Sequence, residues 1–516
     1  MLDWLLALTP GFVAAHAPAL IVVAPMIAAP IAAVMPNGRS AWLLAILATG
    51  ASLFMALTML AQVQTPETGG VISYAMGGWA PPAGIEFRID ALNALVLVLV
   101  STIGFLAAIF GLPTIEAEVY RPKQAMFFAA YLICFMGLCG VAATGDAFNL
   151  FVFLEISSIA TYVLVALGAR LDRRALPAAA SYLLMGTIGA SFFVVGVGFL
   201  YATTGTLNMA DLAERLPALS GNRAVMAGYA FIFVGLGIKS AMFPLHQWLP
   251  SAYAYSPSFV TTFLAATATK VAVYAMVRFL FTVFGTEFAF GDSSLTLVLM
   301  PMAIAGMIAC SFMAIFQTDI RRTLAYSSVA QVGYMLLGVS LGTAVGVSAG
   351  LFHLVNHALM KGALFLAVAA VAINYRQTQL RDFRGLGRAA PWTMTAFAIG
   401  GLSLIGVPLT AGFQSKYVLV LALLGSGWWW AAMIVVFTSV LAVIYMGRIL
   451  EAIFFRPLAD PNRTVSEAPF LMLVPLWILA LANIWIGVRG GDVLALADAA
   501  AQAVFGQAYL VGGAGS

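Results

Sequence analysis

Long apolar segments follow one another along almost the whole sequence, and they constrain the fold more than any other feature. A membrane-spanning helix needs about 20 mostly apolar residues, and about fourteen segments meet that requirement. Of the 516 residues, 63% are hydrophobic and only 9% are charged, which is far from the composition of a soluble domain. The sequence therefore predicts an all-α polytopic membrane protein with about fourteen transmembrane helices. The segments lie at residues 17–35, 41–62, 91–112, 125–144, 148–168, 176–203, 224–250, 256–284, 294–316, 321–342, 346–374, 391–423, 427–454 and 467–488.

Charged residues in the connecting loops predict how the chain is oriented in the membrane. If the N-terminus is outside, alternate loops carry most of the basic residues, beginning with Arg39, Arg121, Lys123 and Arg170. This asymmetry is the one that the positive-inside rule describes. Residues 69–90 alternate between apolar and polar side chains around a stretch of turn residues. This pattern is typical of a short β-hairpin, which we expect on the outer face. The net charge of +4 requires no nucleic-acid partner.

Two apolar segments are interrupted by proline or glycine beside a lysine. The first interruption is expected at Phe243–Pro244, after Lys239 and within residues 231–254, and the second lies in residues 406–416, before Lys416. Broken helices are tolerated at membrane depth where they line a cavity or pack inside protein. The residues expected to gate or shape these breaks are Pro244, His246, Pro250 and Pro408. A simpler alternative is a proline-kinked structural helix whose lysine reaches the headgroups.

Interruptions at corresponding places in two halves of a chain indicate an inverted repeat. The lysine lies before one break and after the other, as inversion would produce. We therefore expect two inverted five-helix repeats and two broken helices. The predicted divisions are N-terminal helices with the hairpin at 1–123, a first repeat at 124–284, a second repeat at 285–455, and a C-terminal helix and tail at 456–516.

The lysines carry most of the information about chemistry. The sequence has five, and four of them lie in apolar segments, namely Lys239, Lys270, Lys361 and Lys416. A buried lysine can release its proton, whereas arginine cannot, so this residue type favours proton transfer. Glu155 lies inside the segment at 148–168 and needs a counter-charge, because an isolated buried carboxylate is very costly. Lys239 is the expected partner, whereas Asp146, at the start of the same segment, is expected to be a helix cap.

One segment places two histidines and a lysine on the same face of a helix. His353, His357 and Lys361 are spaced four residues apart, which aligns them along one side. Two histidines at this spacing can bind zinc, but a third ligand is missing and a lysine would repel the ion. The pattern favours a hydrogen-bonded proton path and no metal site.

Six ordered stretches resemble the proton-conducting antiporter family, which is shared by respiratory complex I and Mrp-type cation/proton antiporters. They are TGDAFNLFVFLEISSIATYVLVALG, GIKSAMFPLHQWLPSAYAYSPS, ATKVAVYAMVRF, DIRRTLAYSSVAQVGYM, FHLVNHALMKGALFLAV and GVPLTAGFQSK. The resemblance implies fourteen spans, an inverted repeat, a hydrophilic axis at mid-membrane depth and no cofactor. By motif, it implies proton-transfer roles for Glu155, Lys239, Lys270, His353, His357, Lys361 and Lys416.

Within the family, DAFNLFVFLE and PLHQWLPSAYAYSPS are most similar to the D-type chain of Mrp antiporters. The resemblance implies a proton-translocating subunit of a multi-subunit Na+/H+ antiporter rather than an enzyme. Its expected partners are other Mrp-type subunits, membrane lipid and protons, with Na+ as a candidate second ion, in a bacterial inner membrane. The alternative is a proton-pumping subunit of complex I or of a membrane-bound hydrogenase. A free-standing transporter of organic substrates is a third class, but no substrate-sized polar cluster supports it.

Overall fold

The computed structural model describes residues 3–65, 68–375, 378–460 and 465–505. Apart from one two-stranded hairpin, its regular structure is helical. In chain order the elements are α1 Asp3–Leu8, α2 Gly11–Val34, α3 Gly38–Val63, β1 Ile72–Ala75, β2 Glu86–Ile89, α4 Ala91–Glu118, α5 Gln124–Ala143, α6 Ala147–Ala166, α7 Ala175–Thr204, α8 Met209–Arg215, α9 Arg223–Lys239, α10 Trp248–Tyr255, α11 Ser258–Ala266, α12 Ala268–Val277, α13 Thr296–Ile315, α14 Ile320–Val339, α15 Ala344–Tyr375, α16 Leu386–Ala389, α17 Pro391–Ile405, α18 Ala411–Gly425, α19 Trp429–Phe455, α20 Phe470–Arg489 and α21 Gly491–Phe505.

Within the described residues, 11 helices are long and apolar enough to cross a membrane. The all-α polytopic class predicted from the sequence is therefore confirmed. The predicted segments at 224–250 and 391–423 each fall on a pair of short helices, α9 with α10 and α17 with α18. The segment at 321–342 falls on α14, which has 20 residues but carries many polar side chains. The count of fourteen spans and the inverted repeats remain predictions.

The most deeply buried helices form the centre of the bundle. In the most apolar 18-residue stretch of α15, 100% of the residues are buried, and in that of the span containing α11 and α12 the share is 94%. Helices α7, α13, α19 and α20 are less than half buried, so they lie at the periphery. Every in-span lysine named above lies on or beside the central helices.

Residues 69–90 contain the predicted hairpin. Strands β1 and β2 pair antiparallel, with Ile72 opposite Ile89 and Ala75 opposite Glu86. The Glu86 carbonyl accepts a hydrogen bond from the Gly145 N–H, which ties the hairpin to the start of α6. The hairpin is confirmed, whereas its outer location stays a prediction.

Two aspartates anchor the starts of α6 and α14 in the same way. Asp146 caps α6, accepting from the Asn149 N–H, and forms an isolated β-bridge with Asn208. Asp319 caps α14 and forms the equivalent bridge with Gln379. The capping role predicted for Asp146 is therefore confirmed.

These two anchors lie at opposite ends of the bundle. Asp146 lines a cavity together with hairpin residues, whereas Asp319 lines a cavity with Arg174. Arg174 follows the far end of α6, one membrane crossing away from Asp146. Two similar anchors at opposite ends are what an inverted repeat would produce.

Helices α7 and α9 approach closely through glycine, as membrane helices often do. A Cβ at Gly235 would lie 2.6 Å from the Gly189 carbonyl oxygen and 2.8 Å from the Phe193 nitrogen. No larger side chain fits there without moving a helix. This contact fixes the position of α9, whose last residue is Lys239.

Candidate functional site

An ion pair between Glu155 and Lys239 is the first part of the site. The Lys239 ammonium lies 3.0 Å from Glu155 Oε1 and donates a hydrogen bond of 2.7 Å to Ser158 Oγ. Glu155 and Ser158 lie on α6, three residues apart, so they face Lys239 together. The partner predicted for Glu155 is confirmed. Ser158 was not predicted, although it follows Glu155 in the same polar patch, EISS.

The interruption after Lys239 begins earlier than the sequence predicts. The break was expected at Phe243–Pro244, but α9 ends at Lys239. Ala241 adopts a left-handed backbone with φ of 57°, so the helix stops before the proline. The Trp248 Nε1 donates to the Ile238 carbonyl at 3.0 Å, and this bond holds α10 against the end of α9.

The predicted gating residues lie around this turn. Pro244 lies between α9 and α10, and Pro250 lies in the first turn of α10. His246 is buried and its ring packs against Phe243, with ring centroids 5.3 Å apart. Within the described residues, His246 forms no hydrogen bond with the Glu155–Lys239 pair, and the structural or gating role of the three residues stays a prediction.

A third helix interruption, which the sequence did not predict, positions Lys270. Helix α11 ends at Ala266 and α12 begins at Ala268, with Thr267 at φ −125° and ψ −61°. The Lys270 ammonium donates to the Ala265 carbonyl and, at 3.3 Å, to Thr269 Oγ1. The surrounding sequence, AATATK, has no glycine or proline that would signal a break.

His353, on α15, lies between a polar side chain of α18 and one of α14. Its Nδ1 is 2.9 Å from Ser415 Oγ, and its Nε2 is 2.9 Å from Gln331 Oε1. The His357 ring stacks one turn further along, with ring centroids 6.3 Å apart. The Lys361 ammonium donates to the Leu324 carbonyl at 2.7 Å and also to Ser327 Oγ. The predicted common face of this helix is confirmed.

Lys416 is held at the end of another interrupted helix. Its ammonium donates to the carbonyls of Leu404 and Ile405 at 3.0 and 2.9 Å. These belong to the last turn of α17, where carbonyls lack helical partners and favour a cation. The ammonium also lies 5.0 Å from the centroid of the Tyr334 ring, which in turn lies 5.4 Å from the His353 ring.

Pro408 lies in the turn that follows α17. Gly406 and Leu409 on either side of it have positive φ values of 93° and 69°. This left-handed backbone reverses the chain between α17 and α18 and brings Lys416 back over the end of α17. The predicted second break is therefore confirmed at residues 406–410.

The side chains of α14 are the main functional features that were not predicted from the sequence. Ser327, Gln331 and Tyr334 occur at spacings of four and three residues, so they share the face that meets α15. Each contacts a residue of the predicted site. The stretch AYSSVAQVGYM contains this spacing, and its polar stripe in an otherwise apolar helix was the available signal.

All four in-span lysines are buried, with exposed fractions of 0% for Lys270 and Lys361, 6% for Lys416 and 9% for Lys239. Because protein encloses each ammonium, this burial does not support the alternative in which the lysine of the proline-kinked helix reaches the headgroups. Within the described residues, only Lys239 forms an ion pair; the others bind carbonyl and hydroxyl oxygens. This arrangement keeps an ammonium solvated by dipoles without a fixed counter-charge.

The site residues form two groups. Glu155 and Lys239 form the first group. The second consists of His353, His357 and Lys361 on α15, with Lys270 on α12 and Lys416 on α18. Lys270 belongs to this group because α12, which carries it, packs against α15. Among the described residues, no hydrogen bond joins the two groups, and neither ring nitrogen of His357 has a hydrogen-bond partner. The predicted hydrophilic axis is therefore not continuous through protein hydrogen bonds alone.

A known family of membrane proteins accounts for this arrangement. Residues 144–442 match the family described as NADH:quinone oxidoreductase/Mrp antiporter, TM. This match covers more than half of the chain. The chain belongs to this family. All seven predicted proton-transfer residues fall inside the matched range.

Relatives within the NADH:quinone oxidoreductase/Mrp antiporter family are similar over most of the chain. The N-type chain of the NADH-quinone oxidoreductase of Desulforudis audaxviator is 41% identical over 497 residues, which cover 93% of this chain and 97% of the relative. The D-type chain of the Na+/H+ antiporter of Alkalihalophilus pseudofirmus is 30% identical over 421 residues, which cover 81% and 83%.

Solved structures of the family have the same fold. A chain of the archaeal membrane-bound sulfane sulfur reductase superposes with a TM-score of 0.87 at 33% identity, covering 96% of this chain and 99% of that one. A chain of the Mrp complex from a Dietzia species gives 0.87 at 26% identity with the same coverage. The predicted family is therefore confirmed.

Two further buried ion pairs in this family member have structural roles. Asp90 caps α4 and binds the Arg278 guanidinium through two hydrogen bonds of 2.8 Å. At the other end of α4, Glu118 accepts from the Ser258 N–H at 2.6 Å and lies 3.9 Å from Arg321. These contacts join α4 to the central helices at both ends.

Proposed function

We propose that this chain translocates protons as an antiporter-like subunit of a multi-subunit membrane complex. The Glu155–Lys239 pair supports this most directly, because the lysine lies at the end of an interrupted helix. A carboxylate beside an ammonium stabilises its proton, and separating the two would favour release. Movement at the break after Lys239 is therefore a way to load and release a proton.

The remaining buried groups would carry the proton across the molecule. We assign proton-transfer roles to Glu155, Lys239, Lys270, His353, His357, Lys361 and Lys416. The contacts of His353 with Ser415 and Gln331 support a hydrogen-bonded path in the second group. Transfer across the gap between the two groups would need bridging water, since proton transfer requires contact within about 3 Å or one intervening water.

The relatives favour a redox-linked complex over a Na+/H+ antiporter. The N-type chain of an NADH-quinone oxidoreductase is 41% identical, compared with 30% for the D-type chain of an antiporter. The sequence alone placed the antiporter first, on the basis of a few residues near Glu155 and His246. We therefore propose partner subunits of the complex I type. The chain itself would carry no redox chemistry.

Na+/H+ antiport within an Mrp-type complex is the second candidate. The Mrp chain from Dietzia superposes as well as the sulfane sulfur reductase chain, each with a TM-score of 0.87. Under either proposal the chain lies in a bacterial inner membrane with both termini outside. The proposed divisions remain 1–123, 124–284, 285–455 and 456–516.

Purification of the native complex through a tag on this chain tests both candidates. The complex is reconstituted in liposomes that contain quinone and a trapped pH-sensitive dye. A pH change driven by NADH, with no response to a Na+ pulse, would support the redox-linked proposal. A pH change driven by Na+ alone would support the antiporter. A Glu155→Gln complex that still gave the full pH change of the unaltered complex would contradict the proton-transfer role.

A further inference from the structure

An apolar groove and a basic pocket meet on one side of the bundle, outside the proton-transfer site. The groove has a volume of about 630 Å³ and lies between α2, α5 and α6. Alanines at positions 29 and 33 of α2 and 129 and 130 of α5 line it. These small side chains leave a channel along the membrane-facing surface.

A polar pocket of about 800 Å³ lies at the end of this groove. Lys123 lines the groove, while Arg121, two residues earlier, lines the pocket. Just after the end of α6, Leu167 lines the groove and Arg170 lines the pocket. The groove therefore leads directly into the pocket, at the depth where helices end and headgroups begin.

The pocket has an excess of positive charge. Arg39 lines it and pairs with Glu116, with 2.9 Å between Nε and Oε1. Within the described residues, Arg121, Lys123 and Arg170 have no acidic partner within 4 Å. Three exposed cations thus converge where an apolar channel opens. Tyr120, which is 61% exposed, lies at the rim, where interfacial aromatic residues are common.

We propose that this groove and pocket bind an anionic phospholipid. An acyl chain would lie along the groove, and the phosphate would bind Arg121, Lys123 and Arg170. Basic pockets between transmembrane helices on the cytoplasmic side bind such headgroups, and this side of the chain carries the basic loops. A helix of a neighbouring subunit would fill the groove but leave the cations unmatched, so charge favours a lipid.

Photolabelling of the assembled complex tests the proposal. Phosphatidylglycerol and phosphatidylcholine analogues with a diazirine on an acyl chain are used, and labelled peptides are mapped by mass spectrometry. The expected result is selective labelling of residues 26–33 and 126–136 by phosphatidylglycerol. In the triple variant Arg121→Gln, Lys123→Gln, Arg170→Gln, this selectivity should fall by more than about tenfold.

The matched control removes three charges elsewhere on the same side. Arg381, Arg384 and Arg388 are exposed, and their triple replacement by Gln should leave labelling unchanged. Ala130→Phe, which fills the groove, should reduce labelling without altering the cations. Equal labelling by both lipids, or an unlabelled groove in the assembled complex because another subunit covers it, would overturn the proposal.

Discussion

At the scale of single residues, the site depends on the difference between lysine and arginine. The buried arginines, such as Arg278, form fixed pairs with carboxylates. The buried lysines mostly bind oxygens that carry no formal charge. A guanidinium keeps its proton, whereas an ammonium can release it. The two cation types therefore divide between structural and proposed proton-transfer roles.

Replacing Lys239 with arginine separates charge from proton release. We expect Lys239→Arg to keep the pair with Glu155 but to lower proton translocation by about a hundredfold or more, because a positioned proton-transfer group is lost. The dye assay in liposomes measures this. Arg388→Lys, which exchanges the same two residue types on the exposed surface, should have full activity. A fully active Lys239→Arg complex would show that Lys239 is only a fixed counter-charge.

A second test asks whether Gln331, on α14, belongs to the proposed proton path. Gln331→Leu removes the partner of His353 Nε2, and we expect a drop in translocation of about tenfold or more. Its control, Gln317→Leu, changes an exposed amide that bonds to the Met313 carbonyl of the helix before it. Equal activity of the two variants would remove Gln331 from the proposed path.

At the scale of helices, the predictable and unpredictable features have different physical origins. The breaks near Pro244 and Pro408 could be predicted, because proline and glycine mark them in the sequence. The break at Thr267 could not, because only the surrounding packing and the Lys270 ammonium favour it. The start of the first break was misplaced for a related reason, since Ala241 adopts positive φ without being glycine.

The role of the turn after α17 in positioning Lys416 can be tested by comparing alanine substitutions at two glycines. Both Gly406 and Gly427 have positive φ, so replacement by Ala should cost each about 1–2 kcal/mol of stability. A Cβ at Gly406 would lie 3.1 Å from Lys416 Cδ, whereas one at Gly427 meets nothing within 4 Å. We expect both variants to melt at a lower temperature and only Gly406→Ala to lose translocation. Thermal melts and the dye assay distinguish these effects. If Gly427→Ala lost translocation equally, general instability would explain the result.

At the scale of the whole molecule, composition was sufficient for the class of fold, and the six motifs were sufficient for the family. The pairing of Glu155 with Lys239 also followed from the cost of an unpaired buried charge. The contacts made by α14 did not follow, because a serine in an apolar helix can instead bond to its own backbone, as Ser327 also does with the Leu324 carbonyl. The ranking of the two complexes was beyond a single sequence, since the site residues suit both.

Orientation in the membrane is testable with single cysteines. The native Cys134, Cys139 and Cys310 are buried and free, so they add little background to labelling. We expect Ala83→Cys, in the exposed turn of the hairpin, to react with an impermeant maleimide added outside intact cells. Arg173→Cys should react only after the membrane is opened. The reverse pattern would place the N-terminus inside.

The distances from Asp146 and Asp319 to the buried groups indicate how much of the membrane potential lies on each side of those groups. Glu155 is the ninth residue after Asp146, and Ser327 is the eighth after Asp319, which at 1.5 Å per residue places them about 14 and 12 Å from opposite ends. The hydrocarbon core is about 30 Å thick. Under the proposed function, a proton that reaches either group would cross about half of the transmembrane voltage, equivalent to about 1.2 kcal/mol at 100 mV. We then expect proton entry and proton release each to work against, or with, about half of the membrane potential, whichever way the protons move.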